Sequence, residues 1–428
     1  MAAEGDERYL TTAEVARRLG IKQETVYAYV SRGVLHSVRS TGRRGSLFPV
    51  SEVDRLAERG REARPPSGAV ERIRTAVTLI EEDELFYRGH PVTELAAMRS
   101  FAWVADLLWT TGNLAVPWSW PELLESTGDR VDVARAAIEP LPESARLTDR
   151  LRVIIAVLGA MDPLRFDLSP ERVMRAAGTA VGVMVEAVAP RPGSTPGRAA
   201  RPGDEPRLEG PAHDDGLGAR LWPALTTRPQ PPGLLESVLI LMADHGLAAS
   251  TVAARVAASA RAHPYAVISA GLGAVDAQHH GAASGAAYRF LADAMDDPIG
   301  ALSERLRAGD GVPGFGHRVY QERDPRAGLL FTRLRTYAEA EQALEAVDAL
   351  VVELSRGGAW PPNVDLALAA MMHAFDMRPD AGEAVFAVAR TVGWIAHALE
   401  EYREPAMRFR PLGFYTGMRG DLTPEALR

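Results

Sequence analysis

The chain has 428 residues, 46% of them apolar and 24% charged, a composition ordinary for a soluble globular protein and long enough for two or three domains around a large core. It has no cysteine and only one lysine, Lys22, against 47 arginines, so disulfides, thiolate metal sites, a cysteine nucleophile and, away from Lys22, phosphate-loop or Schiff-base lysines are excluded. The net charge of −8 is uneven: residues 1–64 carry 12 Arg/Lys against 9 Asp/Glu, a mildly basic head on an acidic body.

Met1 to Leu10 is acidic and does not read as a signal peptide. The longest apolar run, Val153 to Met161, is about half of the ~18 residues a membrane span needs, so the expected setting is the cytoplasm. Residues 9–59 read as a unit of their own. Thr11 and Glu14 form a capping box, Ala13, Val15, Ala16 and Leu19 give an apolar face, and Gly20 ends the helix. A second helix from Gln23 to Val30 follows at helix-turn-helix spacing and would present Gln23, Thr25 and one of Tyr27 or Tyr29 to a DNA groove. Val34 to Pro49 reads as a strand pair whose arginines, Arg39, Arg43 and Arg44, would reach phosphates. The unit resembles the winged helix-turn-helix modules of excisionase-like and MerR-like regulators; the alternative is a small helical module for protein contacts. We assign residues 1–64 to it and Ala63 to Gly68 to a linker.

Beyond the linker helical periodicity dominates: Met98–Thr111, Thr148–Met161, Pro170–Val188, Pro232–Asp244 and Glu383–Glu400 carry apolar residues at intervals of three and four. Residues 189–218 are rich in proline and glycine, show no periodic face and read as a long surface loop. Strand signals are few, so the expected class is mainly α.

Gly314-Phe315-Gly316-His317-Arg318-Val319-Tyr320 followed by Asp324-Pro325-Arg326, together with Gly273-Ala274 leading to His280-Gly281 and with Pro362-Asn363-Val364-Asp365, resembles the citrate synthase family in motif, order and spacing. Glu84-Leu85-Phe86-Tyr87-Arg88-Gly89-His90 is similar to a family segment as well, so the resemblance covers residues 69–428. It implies an all-helical large domain with a small domain inserted at roughly 270–380. It also implies condensation of acetyl-CoA or a related acyl-CoA with oxaloacetate or a related 2-oxoacid.

Such a reaction removes a proton from a thioester methyl group, so it needs a carboxylate base, a donor to the thioester oxygen and an acid for the ketone. The resemblance gives these roles to Asp365, His280 and His317 in that order. His280 precedes a small-residue run that opens a helix, whose dipole favours neutral imidazole. Asp365 opens a helix too, so from local sequence it could equally be an N-cap. The family's 2-oxoacid histidine matches His245, and its carboxylate-binding arginines match Arg326, Arg390 and Arg410, the last reaching a neighbouring subunit's site in a homodimer. Val312, Pro313, Gly314, Phe315 and Gly316 match the coenzyme A loop. Coenzyme A thioester is then a co-substrate, with no permanently bound cofactor. No metal is expected, since His279 and His280, adjacent at a turn, point apart.

Two stretches depart from the family. Gly246-Leu247-Ala248 stands where Glu-Leu-Asn is usual, and Gly281-Ala282-Ala283-Ser284 where Gly-Gly-Ala-Asn is usual, which leaves the identity of the 2-oxoacid open. A citryl-CoA lyase-like enzyme, and a DNA-binding regulator whose body senses CoA esters or tricarboxylates, are the alternatives.

Overall fold

The computed structural model describes residues 9–19, 23–31, 35–39, 46–50, 52–53, 73–110, 120–190, 216–277, 283–355 and 360–409. The chain divides into two compact units, an amino-terminal one and a larger one spanning Arg74–Arg408.

In the first unit, helix Thr12–Leu19 packs on helix Gln23–Ser31 and on a three-stranded antiparallel sheet, β1 (Tyr9–Thr11), β2 (Val38–Arg39) and β3 (Ser46–Pro49), in the order β1-β3-β2. The capping box forms as read: Glu14 accepts from the Thr11 N–H at 2.8 Å, and Thr11 Oγ1 accepts from the Glu14 N–H at 3.4 Å. Val15, Ala16, Val26, Leu35, Phe48 and Val53 make a small closed core. β1 is the element the sequence reading lacked; its three residues carry no pattern of their own and are strand only because they pair with Leu47–Pro49.

The second unit is mainly helical around one continuous core. Its centre is the helix Ala381–Glu401, buried along nearly its whole length and packed by Phe101–Thr110, Leu147–Met161, Pro170–Val188, Ala249–Ser259 and Pro264–Val275. Alanine and glycine on this helix permit the close approach. A Cβ on Gly393 would lie 2.4 Å from the Ala243 carbonyl oxygen, and the Gly393 N–H donates to that same oxygen at 3.1 Å. Helices Ala283–Asp296, Pro298–Ala308, Glu341–Ser355 and Val364–Ala374 pack against one another.

A three-stranded sheet, β4 (Thr78–Glu81), β5 (Glu84–Tyr87) and β6 (His90–Pro91), precedes the helices. Its first turn is two residues long, with Glu82 and Asp83 at φ of 50° and 58°, the left-handed pair that a type I′ hairpin demands. Among the described residues no helix is long and apolar enough to cross a membrane.

Candidate active site

Two loops meet edge to edge to form the floor of the site. The Gly316 N–H donates to the Pro361 carbonyl at 2.8 Å, the Asn363 N–H to the Gly314 carbonyl at 2.9 Å, and Asn363 Nδ2 to the Gly316 carbonyl at 2.9 Å. Gly314 sits at φ +85°, where a Cβ would come within 2.7 Å of Leu366 Cβ. Left-handed backbone and overpacking together predict that Gly314→Ala destabilises the protein by ~2–4 kcal/mol. Denaturant unfolding checks this, and an unchanged midpoint would show that the loops are not pinned to each other.

His317 leaves this floor, and the helix follows only at Pro325, so residues 317–324 form an extended turn rather than a direct helix start. His317 Nδ1 accepts from the Val319 and Tyr320 N–H groups at 3.0 and 3.3 Å. A neutral ring whose Nδ1 accepts must carry its proton on Nε2. Burial and the adjacent Arg326 push the pKa down to about 4, so this neutral tautomer holds at neutral pH. Nε2 lies 3.4 Å from Arg326 Nη2. Both are donors in this state, and two donors converging on one point suit a single ligand oxygen.

Arg326 is held by Asp324 in a fork, Nε to Oδ1 at 2.9 Å and Nη2 to Oδ2 at 2.8 Å, with both side chains buried. Asp324 also accepts from the Arg326 N–H at 3.0 Å and from the Val364 N–H at 3.0 Å, tying together the first turns of Pro325–Leu334 and Val364–Ala374. Because one edge of the guanidinium is committed, only its Nη1–Nη2 end remains for a ligand carboxylate.

Asp365 is not the N-cap. That role belongs to Asn363, whose Oδ1 accepts from the Asp365 and Leu366 N–H groups. The Asp365 carboxylate makes no hydrogen bond among the described residues. Desolvation outweighs the attraction of Arg326 and raises its pKa to about 6.

His245 completes the cluster. Its ring centroid is 5.1 Å from that of His317, and its Nε2 lies 2.9 Å from the Tyr320 hydroxyl. Burial, Arg326 and Arg390 hold its pKa well below the usual imidazole value. The preceding Asp244 is fully buried; its Oδ2 accepts from Thr78 Oγ1 at 2.6 Å and from the Gly246 N–H at 2.8 Å. His397 Nε2 reaches the same oxygen at 3.3 Å, while Arg255 donates to His397 Nδ1 at 2.9 Å, which fixes the His397 proton on Nε2. Arg390, buried beside these groups, uses Nε on the Met242 carbonyl at 2.9 Å and lies over the Phe386 ring. Its terminal nitrogens have no hydrogen-bond partner among the described residues.

Five of the expected residues, His245, His317, Arg326, Asp365 and Arg390, thus fall in one cluster. Val312 and Phe315 are buried beneath the glycine loop, with the Phe315 N–H closing a turn onto the Val312 carbonyl. His280 and Arg410 lie outside the described residues, as do Arg43 and Arg44 and the stretch 191–215 of the expected loop; Leu217 and Gly218 of that loop are helical. In the first unit Gln23 opens its helix exposed, Thr25 is half-buried, Tyr27 is exposed, and Arg39 ends β2. The sequence reading gave no role to Asp244, which precedes His245, nor to Tyr320, Asp324 and Asn363, which stand inside the motifs it used. No group of three or more His, Asp or Glu side chains able to hold a metal exists among the described residues.

Residues 68–412 match the family profile described as citrate synthase, C-terminal domain, and residues 9–61 match one described as a helix-turn-helix domain. The chain is 30% identical to a 2-methylcitrate synthase of Mycobacterium tuberculosis over 82% of its own length and 89% of the relative's. It is 29% identical to citrate synthase 2 of Bacillus subtilis over 80% and 93%. A crystal structure of citrate synthase from Thermotoga maritima superposes with a TM-score of 0.62 at 26% identity, covering 84% of this chain and 98% of that one. A Thermoplasma acidophilum citrate synthase in ternary complex with carboxymethyl coenzyme A and oxaloacetate shares the fold, with a TM-score of 0.64 at 24% identity over 84% and 98%.

Proposed function

The chain belongs to the citrate synthase family, and we propose that it works as a citrate synthase-type acyltransferase with Asp365 as its base. The observation that supports this reading most is the Asp365 carboxylate, uncommitted to capping, raised to a pKa of about 6 and set in the field of the buried Arg326.

In this reading Asp365 takes a proton from the methyl group of acetyl-CoA while His280 donates a hydrogen bond to the thioester oxygen. The enolate carbon bonds to the ketone carbon of oxaloacetate, whose oxygen is met by His317 Nε2–H and gains the proton. His245 orients the 2-oxoacid, and Arg326 and Arg390 bind its carboxylates. Water then cleaves the citryl thioester to citrate and free coenzyme A. Val312, Pro313, Gly314, Phe315 and Gly316 bind coenzyme A, and Arg410 completes the partner's site in a homodimer. A cysteine-free chain suits a reducing cytoplasm.

Both citrate and 2-methylcitrate synthases stand among the relatives, so the acyl group is open to test. Mass spectrometry of mixtures with oxaloacetate and either acetyl-CoA or propionyl-CoA is expected to find the corresponding tricarboxylate. Finding neither product from folded protein would end this reading.

The first unit favours a second activity beside the first. Exposed Gln23 and Tyr27 on a helix-turn-helix fold support DNA binding by residues 1–64. Gel shifts on genomic fragments are expected to show complexes that vanish when residues 1–64 are deleted. Equal retention of DNA by the truncated chain would exclude that role.

A further inference from the structure

Five consecutive backbone N–H groups in the loop after His317 all end on side chains. Val319 and Tyr320 donate to His317 Nδ1 at 3.0 and 3.3 Å. Gln321 donates to Asp83 Oδ1 at 2.7 Å, and Glu322 and Arg323 donate to Asp83 Oδ2 at 2.6 and 3.2 Å. A carboxylate that accepts three N–H groups fixes the path of the segment that donates them. Asp83 lies more than two hundred residues away in sequence, at the left-handed tip of the β4–β5 hairpin, and no motif marks it.

The hairpin is itself anchored beside His245. Thr78 Oγ1 on β4 donates to Asp244, and the Tyr87 hydroxyl on β5 bonds both the N–H and the carbonyl of Asp244, at 2.9 and 2.8 Å. One rigid two-stranded element therefore holds the residue before His245 with its body and the loop after His317 with its tip. The ion pair of Arg323 with Glu84 adds a further tie at the tip.

We infer that Asp83 is a positioning residue: it sets the 319–323 loop so that two N–H groups stay aimed at His317 Nδ1, which orients the ring and leaves the Nε2 side turned to Arg326. The functional consequence rests on the acid role proposed for His317. Without Asp83 its three N–H partners, which lie near the surface, find water, so the fold survives. What is lost is the alignment of Val319 and Tyr320, and with it the penalty on protonating Nδ1. The other groups facing His317 are Arg326 and Asp324, which act on it oppositely, and the His245 ring, none of which belongs to the 319–323 loop, while the Tyr320 ring moves with that loop.

The test compares wild type, Asp83→Ala and Asp83→Asn by steady-state turnover and by NMR titration of Cε1-labelled histidine, with the His317 signal assigned from His317→Gln. Misplacing an acid by about an ångström costs on the order of 10² in rate, so Asp83→Ala is expected to lose ~10–100-fold in kcat. The His317 midpoint should climb by about one unit or more towards the free imidazole value. Asp83→Asn, which keeps one acceptor oxygen, should fall between and carries the test if the alanine variant fails to fold. A His317 midpoint identical to wild type overturns the proposal, whatever the rate. A shifted midpoint with unchanged kcat upholds the control exerted by Asp83 and removes His317 from the acid role.

Discussion

Asp365→Ala is expected to lower kcat by ~10²–10⁴-fold, the range for loss of a general base, without loss of stability. The two halves of that expectation come from the same geometry. The helix Val364–Ala374 is capped by Asn363, so the Asp365 carboxylate supplies no cap energy that alanine would forfeit. Its folded pKa of about 6 lies above its ordinary value of 3.8, so the native state binds more protons than the unfolded state between those limits. Stability contributed by this group is then present at low pH and lost as pH rises through about 6. At neutral pH the ionised carboxylate is a burden on the fold, and Asp365→Ala or Asp365→Asn should melt at the same temperature or higher. Activity of the free enzyme should fall on the acid side with a midpoint near 6, because only the ionised form can accept a proton. A cap role would give the reverse pattern: a lower melting temperature, by ~1 kcal/mol of stability, and little change in rate.

Arg326→Ala is expected to fail first as a fold and only then as an enzyme. Removing it strands the buried Asp324 carboxylate, and breaking a buried pair from one side costs ~3–5 kcal/mol. Asp324 would keep its bonds to the Arg326 and Val364 N–H groups, which is why the loss should stop short of the whole stability of the domain. Denaturant unfolding read against Asp324→Asn checks this, since the asparagine keeps the acceptor for the Arg326 N–H and gives up the charge together with the oxygen that faces the Val364 N–H. The double variant Arg326→Ala with Asp324→Asn should recover part of the stability and none of the turnover. Recovery of neither would place the damage elsewhere than in the stranded carboxylate.

What could be read from sequence followed the range of the forces involved. The helix Pro170–Val188 has the bounds its periodicity predicts, and the capping box at Thr11 forms, because both depend on neighbours within a turn. The motif residues could be named but their surroundings could not. Whether Asp365 capped its helix was undecidable from local pattern, and the answer turned on Asn363, which competes for the same N–H groups. Asp324 looked like part of a substrate-binding motif and proves also to be the tie between two helix starts. Asp83 was silent: a charged residue in a turn reads as surface, and its partners lie on a distant loop. The Asp244–His397–Arg255 chain was equally silent, since it needs three helices to be packed before any of its bonds exist.

The most direct test of the account is release of free coenzyme A from acetyl-CoA and oxaloacetate, followed with a thiol reagent, in wild type and in Asp365→Ala. The absence of cysteine means that the protein itself adds no signal. The account predicts release that needs both substrates and that falls by at least ~10²-fold in the variant while its melting temperature holds. Undiminished release by Asp365→Ala would contradict the assignment of the base at the centre of the mechanism.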